Sequence, residues 1–271
     1  MDVHFLVATA AYALAAILTI YRELRASQPP GGVVCALVAI GWLIQLLPMA
    51  RGVLAARGQW EVDLAASLEW STLVMGLLFL VGWLVRRQET RIAAVLLLPL
   101  MAMSMGASLF LSSSAHTMRG VSEPLLISHL VLSLLAYGLF TIAAVFAFMD
   151  ALQEYALKSK RLGQVFILLP PLNALEATLF LMVRMGFALL SLSIVTGSLF
   201  YYQQSGAYLA LTHKVLFTWA TWVVFGVLLL GHHYYGWRGR RAARFTLWGY
   251  LLLVLAFLGV KFVKEILLQR I

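Results

Sequence analysis

The sequence predicts an all-α membrane protein, a polytopic bundle of about eight transmembrane helices with both termini on the outer, periplasmic side. Three observations lead there. Of 271 residues, 62% are hydrophobic and 11% charged, with a mean hydropathy of +0.91, whereas a soluble domain is about a quarter charged. The apolar residues gather into runs of about 20, the length that crosses a hydrocarbon core of about 30 Å. Lysine and arginine concentrate in alternate joints between those runs, the bias that sets orientation in a membrane.

In chain order the runs are Val3–Tyr21, Gly32–Ala50, Leu68–Val85, Ile92–Leu111, Leu125–Leu152, Thr178–Tyr202, Leu211–Tyr234 and Phe245–Val263. The first has no basic segment before it and no small-residue cleavage site before Arg22, so it reads as a retained helix rather than a signal peptide. Asp150 to Lys160 extends the fifth helix beyond the membrane. In FILLPPLNALEA, Pro170 and Pro171 predict a bend, because proline removes a helix hydrogen bond and crowds the preceding turn. No joint is long enough for a soluble domain, and residues 1–271 read as one integral membrane domain.

The joints after the first, third, fifth and seventh runs hold twelve Lys and Arg residues, from Arg22 to Arg244; the joints after the second, fourth and sixth hold three, Arg51, Arg57 and Arg119. Odd joints are therefore expected on the cytoplasmic side. The tail with Lys261, Lys264 and Arg270 runs against this bias and is outweighed by it. The net charge of +9 thus belongs to the lipid bilayer rather than to nucleic acid. Cys35 stands alone in an apolar run, which excludes a disulfide framework and a cysteine metal site. No GxSxG, HExxH or phosphate-binding loop is present and the carboxylates are dispersed, so no enzyme is expected.

The six histidines separate by side. His4, His116, His129 and His213 fall at the outer face, and His232 and His233 at the cytoplasmic end of the seventh helix. Helix residues from His213 to His232 span about 28 Å at 1.5 Å each, so these two cannot serve one site. His129 lies within an apolar run, where a polar ring needs a partner. Either it and His213 bind haem iron axially, with Lys214 or Arg119 near the propionates, or each ring hydrogen-bonds a neighbouring helix or headgroup. Adjacent helix residues point about 100° apart, and His232 is expected to be the inward member of its pair. Gln45, Glu69, Arg184 and Lys261 are further polar groups at depth, expected to face the bundle, pair or snorkel.

The segment PPLNALEATLFLMVRMGFALLSLSIVTGSLFYY, the helix WATWVVFGVLLLGHH, the joint GWRGRRAAR and a last helix ending FLGVKFV resemble the cytochrome c assembly superfamily (CcsA/CcmC-like), nearest to its inner-membrane YpjD/HemX-like branch. The likeness includes SHLVLSLLAYG around His129; the N-terminal half shares the helix count. It implies a haem-binding or haem-handling protein of the bacterial inner membrane, with haem b as cofactor and haem-biosynthesis or cytochrome-assembly proteins as partners. His129 matches the family's outer histidine, and His232 lies close to the histidine at the cytoplasmic end of the penultimate helix. YYQQSGAYLALTHK replaces the tryptophan-rich loop of haem-presenting members, so His213 would have to substitute for their second outer ligand. IGWLIQLL offers Gln45 where relatives carry a membrane-embedded histidine. The competing expectation is a scaffold or regulatory accessory protein (HemX-like) that has lost haem ligation. A small-solute transporter is a third reading, which the absence of discontinuous helices disfavours.

Overall fold

The computed structural model describes residues 3–25, 31–55, 60–61, 64–111, 117–118, 124–158, 172–207 and 212–259. Among these residues the chain forms eight α-helices: α1 (Val3–Arg25), α2 (Gly31–Ala55), α3 (Leu64–Val85), α4 (Arg87–Phe110), α5 (Pro124–Lys158), α6 (Leu172–Ser205), α7 (His213–Tyr235) and α8 (Arg240–Val254). The last continues into a π turn, Leu255–Gly259. Two-residue strands Trp60–Glu61 and Thr117–Met118 pair antiparallel, with Trp60 opposite Met118. Helices α1 to α7 are long and apolar enough to cross a membrane, and the fold is that of an all-α, multi-pass membrane protein. The Pro170–Pro171 bend, His116 and the tail with Lys261 lie outside the described residues.

The helices run past the apolar segments that reveal them. Only Arg86 separates α3 from α4, because Arg, Gln and Glu are good helix formers and the charges of RQETR enter the first turns of α4. α5 has 35 residues, about 52 Å at 1.5 Å per residue, which exceeds the hydrocarbon thickness.

The contacts divide the chain into two compact units, Met1–Ser122 and Glu123–Ile271. In the first, α1 packs on α2, α2 on α3 and α3 on α4, and α4 closes on α1. Apolar helices gain little from leaving lipid for one another, so close fit and hydrogen bonds decide their association. Gln45, fully buried on α2, supplies both bonds: its Oε1 accepts from the Tyr12 hydroxyl of α1 at 2.9 Å, and its Nε2 donates to the Glu69 carbonyl of α3 at 2.8 Å. Trp42 adds an indole N–H to the Leu73 carbonyl at 2.9 Å. Gly76 lies against the Trp42 ring, where a Cβ would come within 2.8 Å.

The second unit closes the same kind of ring: α5 on α6, α6 on α7, α7 on α8, and α8 back on α5. Its centre is the stack of Phe140 (α5) on Phe225 (α7), with centroids 4.0 Å apart and planes within 14°. Phe140 rests on Gly186 of α6 and Phe225 on Gly249 of α8; a Cβ at either glycine would reach its ring at about 3 Å. One aromatic pair and two glycines thus join all four helices. Outward faces carry exposed apolar side chains such as Val195, Val223 and Leu230, which suits hydrocarbon.

Asp150 is the exception to this economy. It is fully buried on α5, within electrostatic reach of Glu154 and Glu176, and neither of its carboxylate oxygens has a hydrogen-bond partner among the described residues. A buried polar group without a partner costs about 1–3 kcal/mol, and a charge costs more. Asp150→Asn is therefore expected to stabilise the purified protein by about 1 kcal/mol, raising its unfolding temperature by about 2–4 °C in a thermal melt.

Candidate functional site

α5 and α6 run antiparallel, and near the start of α5 they approach closely enough to enclose an imidazole. Half-buried His129 turns its Nδ1 to the Ser193 carbonyl of α6 at 2.8 Å. A carbonyl only accepts, so Nδ1 carries the proton and Nε2 keeps the lone pair. In an α-helix the carbonyl of residue 193 faces residue 197 one turn on, and that residue is glycine. A Cβ at Gly197 would lie 2.8 Å from both Cε1 and Nδ1 of His129. The ring reaches the carbonyl because Gly197 has no side chain.

Two serines complete the arrangement. The Ser133 hydroxyl donates to the His129 carbonyl at 2.6 Å. Its oxygen lies 2.7 Å from Ser193 Oγ, which can donate to it; Ser193 Oγ is in turn 3.2 Å from His129 Nδ1. Every proton has an acceptor, and Nε2 makes no hydrogen bond among the described residues. From α7, Lys214 acts electrostatically on the ring. His213, the first residue of α7, is exposed behind its cap Thr212, whose side chain accepts from the Val215 N–H. No hydrogen bond or ring contact joins His213 to His129 among the described residues.

A second histidine is held by the same device at the other end of α7. Gly236 adopts the left-handed conformation, φ 64°. Its N–H donates to the His232 carbonyl, and the Trp237 N–H to the Gly231 carbonyl, both at 3.2 Å. The Gly236 bond is that of an αL helix ending. It folds Trp237 back so that its ring covers Gly231 and its carbonyl accepts from His232 Nδ1 at 2.9 Å. His232 also stacks on Phe180 of α6, centroids 3.6 Å apart. It is half-buried, while neighbouring His233 is exposed. Again Nδ1–H is spent on a carbonyl and Nε2 keeps its lone pair, the tautomer in which a histidine ligates a metal through Nε2.

The remaining polar candidates serve structure. Gln45 ties three helices together, and exposed Arg184 turns its Nε back to the Phe180 carbonyl of its own helix at 3.2 Å. His4 is exposed near the start of α1. Sequence reasoning named His129 and His232 but not their partners. Gly197 one turn after Ser193, and Gly236 after GHHYY, were the signals that pointed to them.

Gly197→Ala is expected to push His129 off the Ser193 carbonyl and to destabilise the protein by about 1–3 kcal/mol, as overpacking does. The thermal melt reads the loss, and a ¹⁵N spectrum of labelled histidine reads the change at Nδ1.

Comparison with known proteins bears on what these imidazoles serve. The family model described as "Cytochrome C assembly protein" matches residues 62–268. An uncharacterised 28.8 kDa protein of Azospirillum brasilense is 36% identical over 222 residues, 82% of each chain. The inner membrane protein YpjD of Escherichia coli is 34% identical over 146 residues, 54% of each chain. Protein HemX of Brevibacillus brevis is 29% identical over 139 residues, 51% of each chain.

Proposed function

The chain belongs to the cytochrome c assembly protein family, and on that premise we propose that it binds and handles haem in the bacterial inner membrane, with His129 as the residue that would hold the iron near the outer surface. The orientation rests on the distribution of basic residues, and the location on the likeness to YpjD. The observation that carries the reading is the hydrogen bond from His129 Nδ1–H to the Ser193 carbonyl. It fixes the tautomer and presents Nε2 with its lone pair. The donor set fits haem, because one neutral imidazole on an apolar helix supplies one axial nitrogen.

Haem b, when bound, supplies the iron and its redox couple; this chain positions it. Ser193 and Gly197 orient the His129 ring, and the Lys214 ammonium, which acts on that ring, would pair with a propionate. His213, exposed at the head of α7, is the proposed second outer ligand, and His232 a separate ligand at the opposite end. No residue here is assigned a bond-making step, and the role is carriage or regulation rather than catalysis. The family match begins before residue 122 and continues to 268, which supports treating 1–271 as one functional domain. Proteins of haem synthesis or cytochrome assembly are the expected partners.

One observation favours the competing reading, a scaffold or regulatory accessory protein that has lost haem. Both ends of the Gln45 amide are engaged between helices, so this side chain cannot replace a second intramembrane ligand. The visible spectrum of the detergent-purified protein, oxidised and dithionite-reduced, decides between them. The native protein is expected to show a Soret band that falls by at least half in His129→Ala, while His232→Ala reports on the second site. No band in the native protein, even after incubation with hemin, would leave the scaffold.

A further inference from the structure

The joint between α7 and α8 carries four arginines in seven residues, Arg238, Arg240, Arg241 and Arg244. The first turn of α8 contains no acidic residue, although the N-terminal end of a helix is where the backbone dipole disfavours cations. The fold compensates this charge only in part. Arg240 Nε lies 3.1 Å from Glu154 Oε1 of α5, and the Gly239 N–H donates to Glu176 Oε1 of α6 at 2.6 Å. Arg241 sits over the Trp237 ring, 5.2 Å from its centroid. Arg241 and Arg244 make no ion pair among the described residues.

These arginines are exposed and border an open pocket at the start of α8. Arg240, Arg241, Arg244 and Phe245 line a cavity of about 380 Å³. Its sides are held in place: Arg240 by Glu154, Arg241 by the Trp237 face, and Trp237 by the αL turn at Gly236 and by Phe245, 5.1 Å away between centroids. α7 ends its membrane-crossing length at Tyr235. Tyr234 and Tyr235 are mostly exposed, which places an aromatic belt, and the cavity beside it, at headgroup level.

We propose that this cavity binds the phosphate of an anionic phospholipid. Planar guanidiniums match a phosphate diester through paired N–H donors, and Phe245 offers an apolar wall where the glycerol and first methylenes of the lipid begin. Phe245 already rests on Trp237; what favours a lipid phosphate over a soluble one is the position of the arginines at headgroup level beside exposed Tyr234 and Tyr235. The bound anion supplies the negative charge that the first turn of α8 lacks. The site adjoins His232 through Trp237 but shares no proposed ligand with it, so lipid retention and the absorbance spectrum report on the two separately.

The test is native mass spectrometry of the full-length protein, purified in detergent with an equimolar mixture of phosphatidylglycerol and phosphatidylcholine, counting lipids retained. Native protein is expected to retain phosphatidylglycerol in preference, and Arg241→Gln with Arg244→Gln to lose about tenfold of that retention, since two charge-assisted contacts go. Arg238→Gln, which removes a neighbouring charge outside the cavity, is expected to leave retention within about twofold, the size of a diffuse surface effect. Lysine at both positions keeps the charge and removes the fork; it is expected to lower retention at least about threefold and carries the test should the glutamine pair fail to fold. Retention unchanged in both double variants, or an equal loss in Arg238→Gln, would overturn the site in favour of diffuse attraction. Displacement of the lipid from native protein by millimolar inorganic phosphate would overturn the lipid as its occupant.

Discussion

The contact between Phe140 and Phe225 sets the geometry of the second unit. Neither ring could lie where it does if Gly186 and Gly249 carried side chains. Lipid tails are as apolar as phenylalanine, so burial alone would not hold these helices together, and the fit of ring on backbone has to do so. The same fit sets the register of α5 on α6. An interval of about three turns separates Phe140 from His129 on one helix and Gly186 from Gly197 on the other. A ring meets a glycine at both levels, and the clamp at the centre of the unit thereby brings His129 opposite the Ser193 carbonyl.

Both inward histidines are held through Nδ1 by a carbonyl that already belongs to a helix or its ending. Neither bond draws on a carboxylate, so the hydrogen bond that orients each imidazole brings no charge of its own. A neutral ring with a defined tautomer is costly to maintain in an apolar setting unless its donor is satisfied. A backbone carbonyl, with its second lone pair, satisfies it at no further desolvation cost. The two sites reach this result by different routes, a missing side chain on α6 and an αL reversal at Gly236 after α7.

Much of the architecture was legible in the sequence, because hydrophobic length and basic asymmetry are local properties. Seven of the eight apolar runs emerge as described helices long enough to cross the bilayer, and the eighth begins at Arg240, earlier than its apolar segment. His129 was legible as a polar ring in an apolar run; its partner was not, since Ser193 lies 64 residues away and only the helix register brings it near. Gln45 shows the opposite limit. Read along the chain it is only a polar residue at depth in an apolar run, and the packing reveals it as a tie between Tyr12 and Glu69. Glycines that look scattered in sequence occupy the closest helix contacts for the same reason.

A single residue, Arg86, joins α3 to α4. The Arg86 N–H donates to the Gly82 carbonyl at 2.6 Å, and the Thr90 N–H returns to the Arg86 carbonyl at 3.0 Å. The reversal has no slack through which one helix could insert and wait for the other. α3 and α4 therefore form one helical hairpin, with Arg86 exposed where the chain turns. The sidedness of the first unit is thus decided for two helices at once, by a turn too short and too charged to cross.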